Sequence, residues 1–314
     1  MKFPNYELIL SSGSIKACIF LGGLQELNKY IPLYNFRYLT GCSAGSIILT
    51  LYNIGYTLNE LKYFLIHIDI DHFQEFKIKN FFTNCGFDTG NKTENLLKAC
   101  FMNKNIDINI TFEELYIKSK VTLTLTIVNL TKGIAEYCNH LNTPKMSVLL
   151  ALRMSMNIPI IYEPIKYQGQ LYVDGALLDP FPVQYIKDTE KIGMVIYDKN
   201  EYQFIQNLDA TFIHNNDNTV QYIFNLMKII YANYLKDKYK KKYKNVIHYD
   251  TEAYTISFKL EKQFKEVLVE EGEKKMKKHF KKIYNKKRKI MLASKYYACW
   301  KAKIEKIKRM NSLY

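Results

Sequence analysis

The 314-residue sequence contains no CxxC pair among its six cysteines, Cys18, Cys42, Cys85, Cys100, Cys138 and Cys299, which excludes a zinc knuckle or a dithiol redox motif. Scattered single cysteines in a chain of this length fit reduced thiols in a cytoplasm-like compartment. The N-terminal residues lack the long apolar stretch of a signal peptide, since Leu8 to Leu10 is too short and looks like a strand. No apolar run reaches the ~18 residues of a membrane span. The best candidate, Val148 to Ile161, is interrupted by Arg153, Asn157 and Pro159. Neither the G-x-x-x-x-G-K-[ST] phosphate loop nor G-x-G-x-x-G is present in the first glycine-bearing loop. No metal site, internal repeat or Gly/Ser linker is visible, and no cofactor or metal is expected. The expected location is cytoplasmic.

Nearly half of the residues are apolar, enough to bury a full core. The net charge of +15 is unevenly placed. From Glu261 to Tyr314 there are 18 Lys and Arg against six Glu, so +12 of the charge belongs to the tail and +3 to everything before it. The expected organisation is therefore a main domain over 1–260 and a basic amphipathic helical segment over 261–314, packed on it or extending from it.

Hydrophobic spacing predicts a strand over Tyr6–Leu10, a helix over Ile15–Tyr30, a strand over Asn35–Thr40 and a helix over Ser46–Asn53. The β-branched run Val121–Val128 is the clearest strand, and Gly133–Cys138 can pair with it. Ser147–Met154 reads as a helix, Pro159 to Pro164 as a loop, and Gln170–Val173 and Lys191–Tyr197 as strands. Thr219–Leu235 has helical periodicity. The region 58–104 reads as helical or irregular. The alternation of strand, loop and helix implies an α/β layered fold.

Three local patterns carry chemistry. Gly41-Cys42-Ser43-Ala44-Gly45 fits G-x-S-x-G, between a strand and a helix. In that setting a sharp turn presents the serine hydroxyl, small glycines let neighbouring segments approach, and the Ala44 N–H points toward the reacting oxygen. The loop Ser11-Ser12-Gly13-Ser14-Ile15-Lys16 lies between the first strand and the first helix, where free N–H groups could hold an oxyanion. Asp174-Gly175-Ala176 ends a short strand, placing an acid at a sheet edge. Each has a plainer structural meaning: a capped turn, a strand-to-helix loop, and an aspartate stabilising its own turn. A serine needs a base. Of the six histidines only His214, His248 and His279 follow the acid, as a Ser–acid–His order demands, and none lies in a glycine-bearing loop.

In combination, a glycine-bearing loop ending in lysine, a G-x-S-x-G turn about thirty residues later and a distant D-G-A resemble the patatin-like phospholipases. Leu8-Ile9-Leu10-Ser11 leads into the first loop, and Gly41 to Ser46 is similar to that family's G-T-S-A-G-S. Met154 to Pro159 looks like its small-residue and proline stretch, and Tyr172 to Val183 resembles its Y-V-D-G-G block with the adjoining segment. The resemblance spans roughly residues 6 to 200. It implies a three-layer sandwich with a mostly parallel central sheet flanked by helices. It also implies a lipid acyl hydrolase of phospholipase A type, acting on phospholipid or other acyl esters through a Ser43–Asp174 dyad and an acyl-enzyme. Gly13 and Ser14, with Ser12 and Ala44, would form the oxyanion hole, and Lys16, Gly41, Gly45 and Gly175 would support the motifs. One departure is clear: the family's first loop is G-G-G-x-[KR]-G, and here only Gly13 and Lys16 remain of it. That departure keeps open a catalytically weakened module that binds lipid or a partner.

In the tail, Phe280, Ile283, Tyr297, Trp300, Ile304 and Ile307 fall at three- and four-residue steps, the pattern of one or two amphipathic helices. A solvated face is the simple interpretation. Peripheral contact with an anionic membrane stands beside it, and nucleic-acid binding through the tail is the less economical alternative.

Overall fold

The computed structural model describes residues 6–69, 72, 75–183, 185, 190–197, 245–250, 261–283 and 285. The strands are β1 (Tyr6–Leu10), β2 (Phe36–Cys42), β3 (Gly86–Asp88), β4 (Thr122–Asn129), β5 (Ile134–Cys138), β6 (Ile160–Tyr162), β7 (Ile165–Tyr167), β8 (Gln170–Asp174), β9 (Glu190–Tyr197) and β10 (Val246–Asp250). The helices are α1 (Cys18–Tyr30), α2 (Ala44–Asn53), α3 (Leu58–His67), α4 (Ile78–Asn84), α5 (Asn91–Asn103), α6 (Phe112–Ser119), α7 (Val148–Ser155) and α8 (262–283).

Five strands, in the order β10-β9-β1-β2-β4, run parallel. Beyond them β5, β8 and β7 join antiparallel, so the central sheet is mixed. Every residue of β4 is buried, as expected of a strand covered on both faces. Side chains of β1 divide by parity: Leu8 and Leu10 enter the main core under the helices, while Ile9 joins Phe181, Val183, Val195 and Val246 on the other face. The fold is thus α/β, a sheet flanked by helices.

Helices α3 and α6 begin with reciprocal caps, Thr57 with Glu60 and Thr111 with Glu114, each threonine accepting the N–H of the glutamate that reaches back to it. Helix α8 lies tightly against α1. A Cβ on Gly22 would stand 1.7 Å from the Val269 carbonyl, and one on Gly272 would stand 1.9 Å from that of Ile19. Backbones this close require glycine on both sides. Leu268, Val269 and Met276 of α8 are buried there, and Phe280 stacks on Tyr30 with ring centroids 4.4 Å apart.

The expected helix from Ile15 divides into a 3₁₀ turn at Ser14–Ala17 and then α1. The expected loop between Pro159 and Pro164 holds β6, which pairs with β3 in a separate two-stranded sheet. Residues 219–235 and the aromatic positions beyond 285 lie outside the described residues.

Candidate active site

The site is built where two strands meet end to end. Residues 125–129 of β4 pair with β5 along one edge. Along the other edge β2 covers Thr122–Thr126, running parallel, and β8 covers Ile127–Asn129, running antiparallel. Cys42 therefore sits opposite Thr126, and Asp174 opposite Ile127, one row away. The two chains run toward each other and turn out of the sheet at the same place.

At the end of β2 the chain turns through Ser43, with φ 51° and ψ −120°, and enters α2. A non-glycine residue in this conformation is strained, at a cost of about 1–3 kcal/mol. Small neighbours make the turn possible. A Cβ on Gly41 would lie 2.7 Å from the Ser46 nitrogen, and one on Gly45 would lie 2.6 Å from the carbonyl oxygens of Leu10 and Ser11. At the end of β8 the chain passes over β4 so closely that a Cβ on Gly175 would be 2.3 Å from the Thr126 oxygen.

Ser43 Oγ donates directly to Asp174 Oδ2 at 2.6 Å. No histidine among the described residues intervenes. His248 lies in β10 opposite Val195, His279 lies on α8 edge-on to Phe280, and His214 is outside the described residues. Asp174 Oδ1 accepts the Ala176 N–H at 2.8 Å. The carboxylate is 2% exposed and the serine 7%. Burial pushes the Asp174 pKa up to about 7, against the lowering effect of the bonds from Ser43 and Ala176.

The last residue of α7 and the segment after it support both residues, a role that no sequence motif signalled. Ser155 Oγ accepts the Ser43 N–H at 3.1 Å and hydrogen-bonds Ser46 Oγ at 2.8 Å. The Asn157 carbonyl accepts the Asp174 N–H at 2.9 Å. Asn157 is held in turn by buried Arg153, whose Nη1 donates to Asn157 Oδ1 at 3.1 Å and whose Nη2 donates to the Thr89 carbonyl at 3.2 Å. The Arg153 guanidinium lies over the Tyr162 ring, 5.0 Å from its centroid.

The first loop runs beside the serine. Ser12 N–H donates to the Pro180 carbonyl at 2.8 Å, so that N–H is committed to the backbone and drops out of the expected oxyanion set. Gly13, with φ 176°, lies outside the left-handed region, whereas Ser14 has φ 49°. No described residue accepts from the backbone N–H of Gly13, Ser14 or Ala44, each at the start of a helical turn where such groups go unpaired. Lys16 is buried. Next to Ser43 opens a pocket of ≈ 120 Å³, walled by Ile15, Ile47, Phe64, Leu65, Ile68 and Leu97.

A strained serine on a strand-to-helix turn is thus bonded to a buried carboxylate beside an apolar pocket. The model of the patatin-like phospholipases matches residues 8–186, more than half of the chain, and the chain belongs to that family. It is 32% identical over 190 residues to a probable lipid hydrolase of Invertebrate iridescent virus 6, an alignment covering 57% of this chain and 63% of that protein. It is 28% identical over 291 residues to an uncharacterized protein of Acanthamoeba polyphaga mimivirus, covering 89% of this chain and 95% of that one. Among solved structures, VipD from Legionella pneumophila shares the fold, with a TM-score of 0.58 at 14% identity over 88% of this chain and 66% of VipD. The family and the viral relative support a lipid hydrolase. Among the described residues no helix is long and apolar enough to cross a membrane.

Proposed function

We propose that the protein hydrolyses acyl esters of phospholipids or related lipids through a Ser43–Asp174 dyad. The 2.6 Å bond between the Ser43 hydroxyl and the buried Asp174 carboxylate carries this reading. As Ser43 Oγ attacks the ester carbonyl carbon, its proton passes to Asp174 Oδ2 and the carbonyl electron pair moves onto oxygen. The N–H groups of Gly13, Ser14 and Ala44 receive that oxyanion. Losing one such donor typically costs about a hundredfold in rate. Collapse breaks the bond to the leaving alcohol, which takes the proton from Asp174. Water then gives a proton to Asp174 as its oxygen attacks the acyl carbon. The second collapse frees Ser43, which recovers the proton, and releases the fatty acid.

A carboxylate with a pKa of about 7 is matched to proton transfer near neutrality. The apolar pocket beside Ser43 suits an acyl chain. The test is labelling by a fluorophosphonate together with fatty-acid release from mixed phospholipid vesicles. Wild type is expected to label and turn over. Ser43→Ala is expected to lose labelling and about 10⁴-fold or more in turnover, and Asp174→Asn to lose turnover on a similar scale. A folded wild-type protein that neither labels nor releases fatty acid would overturn the proposal in favour of a lipid-binding module.

A further inference from the structure

Helix α8 reaches the pocket wall through Lys265. Lys265 is only 5% exposed. Its Nζ donates to the Ile68 carbonyl at 2.6 Å and contacts that of Ile66 at 3.4 Å. Both carbonyls belong to the C-terminal end of α3, where the last C=O groups have no helical N–H to accept and the helix dipole favours a cation. The same turn of α3 supplies Phe64, Leu65 and Ile68 to the pocket beside Ser43. Cys18 Sγ of α1 approaches the carbonyl of Leu65 in that same turn at 3.9 Å. Lys265 is itself fixed, because the close Gly22 and Gly272 crossing locks α8 onto α1.

We propose that Lys265 is a positioning residue for the acyl pocket. By holding the carbonyls of residues 66 and 68 it fixes the wall made by Phe64, Leu65 and Ile68, and with it the selection among acyl chains. The inference rests on the hydrolase reading and assigns α8 to the substrate pocket as well as to the fold. A helix cap with no other role would add stability and leave substrate choice unchanged.

The experiment compares the full-length wild type, Lys265→Met and Lys265→Arg on p-nitrophenyl esters of four, eight, twelve and sixteen carbons. Melting temperature and fluorophosphonate labelling are measured alongside. Lys265→Met is expected to shift the long-to-short ratio of kcat/KM by about fivefold or more, the scale of a methylene-sized change in an apolar pocket. Lys265→Arg, which keeps the cation and its donors, is expected to restore the wild-type profile. A folded Lys265→Met with normal labelling and an unchanged profile overturns the inference and leaves the dyad standing. Absent labelling in the wild type instead overturns the hydrolase reading. Should Lys265→Met fail to fold, native-state hydrogen exchange on the wild type decides. Residues 64–68 and 262–276 opening as one unit support the inference, and opening of 262–276 with full protection retained at 64–68 overturns it.

Discussion

Cys42 and Asp174 occupy neighbouring rows on one edge of β4, opposite Thr126 and Ile127, although they come from strands running in opposite directions. That relationship brings Ser43 to within 2.6 Å of a carboxylate 131 positions away in the chain. Neither side chain has to reach, because both strands end at the same place.

The elevated Asp174 pKa sets a pH dependence. The carboxyl can take the serine proton only when ionised, so kcat/KM is expected to rise with pH, close to tenfold per unit below about 6, and level off above about 7. A pH–rate profile checks this, and a profile flat from pH 5 to 8 would count against Asp174 as the base.

Stability should move the other way. A folded-state pKa raised above the ordinary value of 3.8 means that the native protein binds more protons than the unfolded chain between about pH 4 and 7. The favourable contribution is complete below the unfolded pKa and lost as pH rises through about 7. Asp174→Asn, which avoids burying a charge, is therefore expected to exceed wild type in stability at pH 8, by about 1–3 kcal/mol. The gap should close toward pH 4, and urea melts at the two pH values measure it.

Ser155 holds the strained turn from outside. Replacing it with alanine leaves the buried Ser43 N–H without its acceptor, at a cost of about 1–3 kcal/mol in stability. We expect kcat to fall about tenfold, the scale of one misplaced catalytic contact, with little change in KM. Steady-state kinetics on a soluble ester separates this from a purely structural role, which would leave kcat of the folded fraction unaltered.

Ser14 sits where a glycine would be unstrained, at φ 49°. Ser14→Gly relieves about 1 kcal/mol of left-handed backbone strain, most of which is offset by the added freedom of the unfolded chain. The expected result is a melting temperature within a few degrees of wild type and activity equal or higher. A large loss of activity would show that the Ser14 hydroxyl, and not only its N–H, contacts the substrate.

Residues 286–314 hold ten Lys and Arg against Glu305. Truncation after residue 285 retains all of α8. It is expected to weaken binding to vesicles containing phosphatidylserine, with the difference fading as salt rises from 50 to 500 mM. Cosedimentation measures it, and equal binding by both proteins at low salt would remove the tail from membrane contact.

Much of the fold and of the site is legible along the chain. The strand Tyr6–Leu10 shows in its apolar run, and β4 in its β-branched residues, because both are buried on local pattern alone. The Ser43 turn and the Asp174 strand end show because glycines mark where backbones must crowd. The strands β3 and β6 leave no such mark, being three residues each and paired with one another in a sheet of two. Ser155 and Asn157 are legible only as part of a family-like stretch, since their partners lie across the fold. Lys265 resembles one more charge in a basic run. Its burial depends on Gly22 and Gly272 letting two helices touch, a tertiary fact with no local periodicity.

The end-to-end meeting of β2 and β8 also bears on when the protein becomes reactive. A nascent chain released only as far as β5 contains Ser43 but lacks both Ser155, which holds its turn, and Asp174, which would deprotonate it. On the proposed chemistry, competence requires the three rows of pairing at Ile127–Asn129. Synthesis thus delivers an inert precursor first, and the hydrolase switches on only after the chain has doubled back on itself.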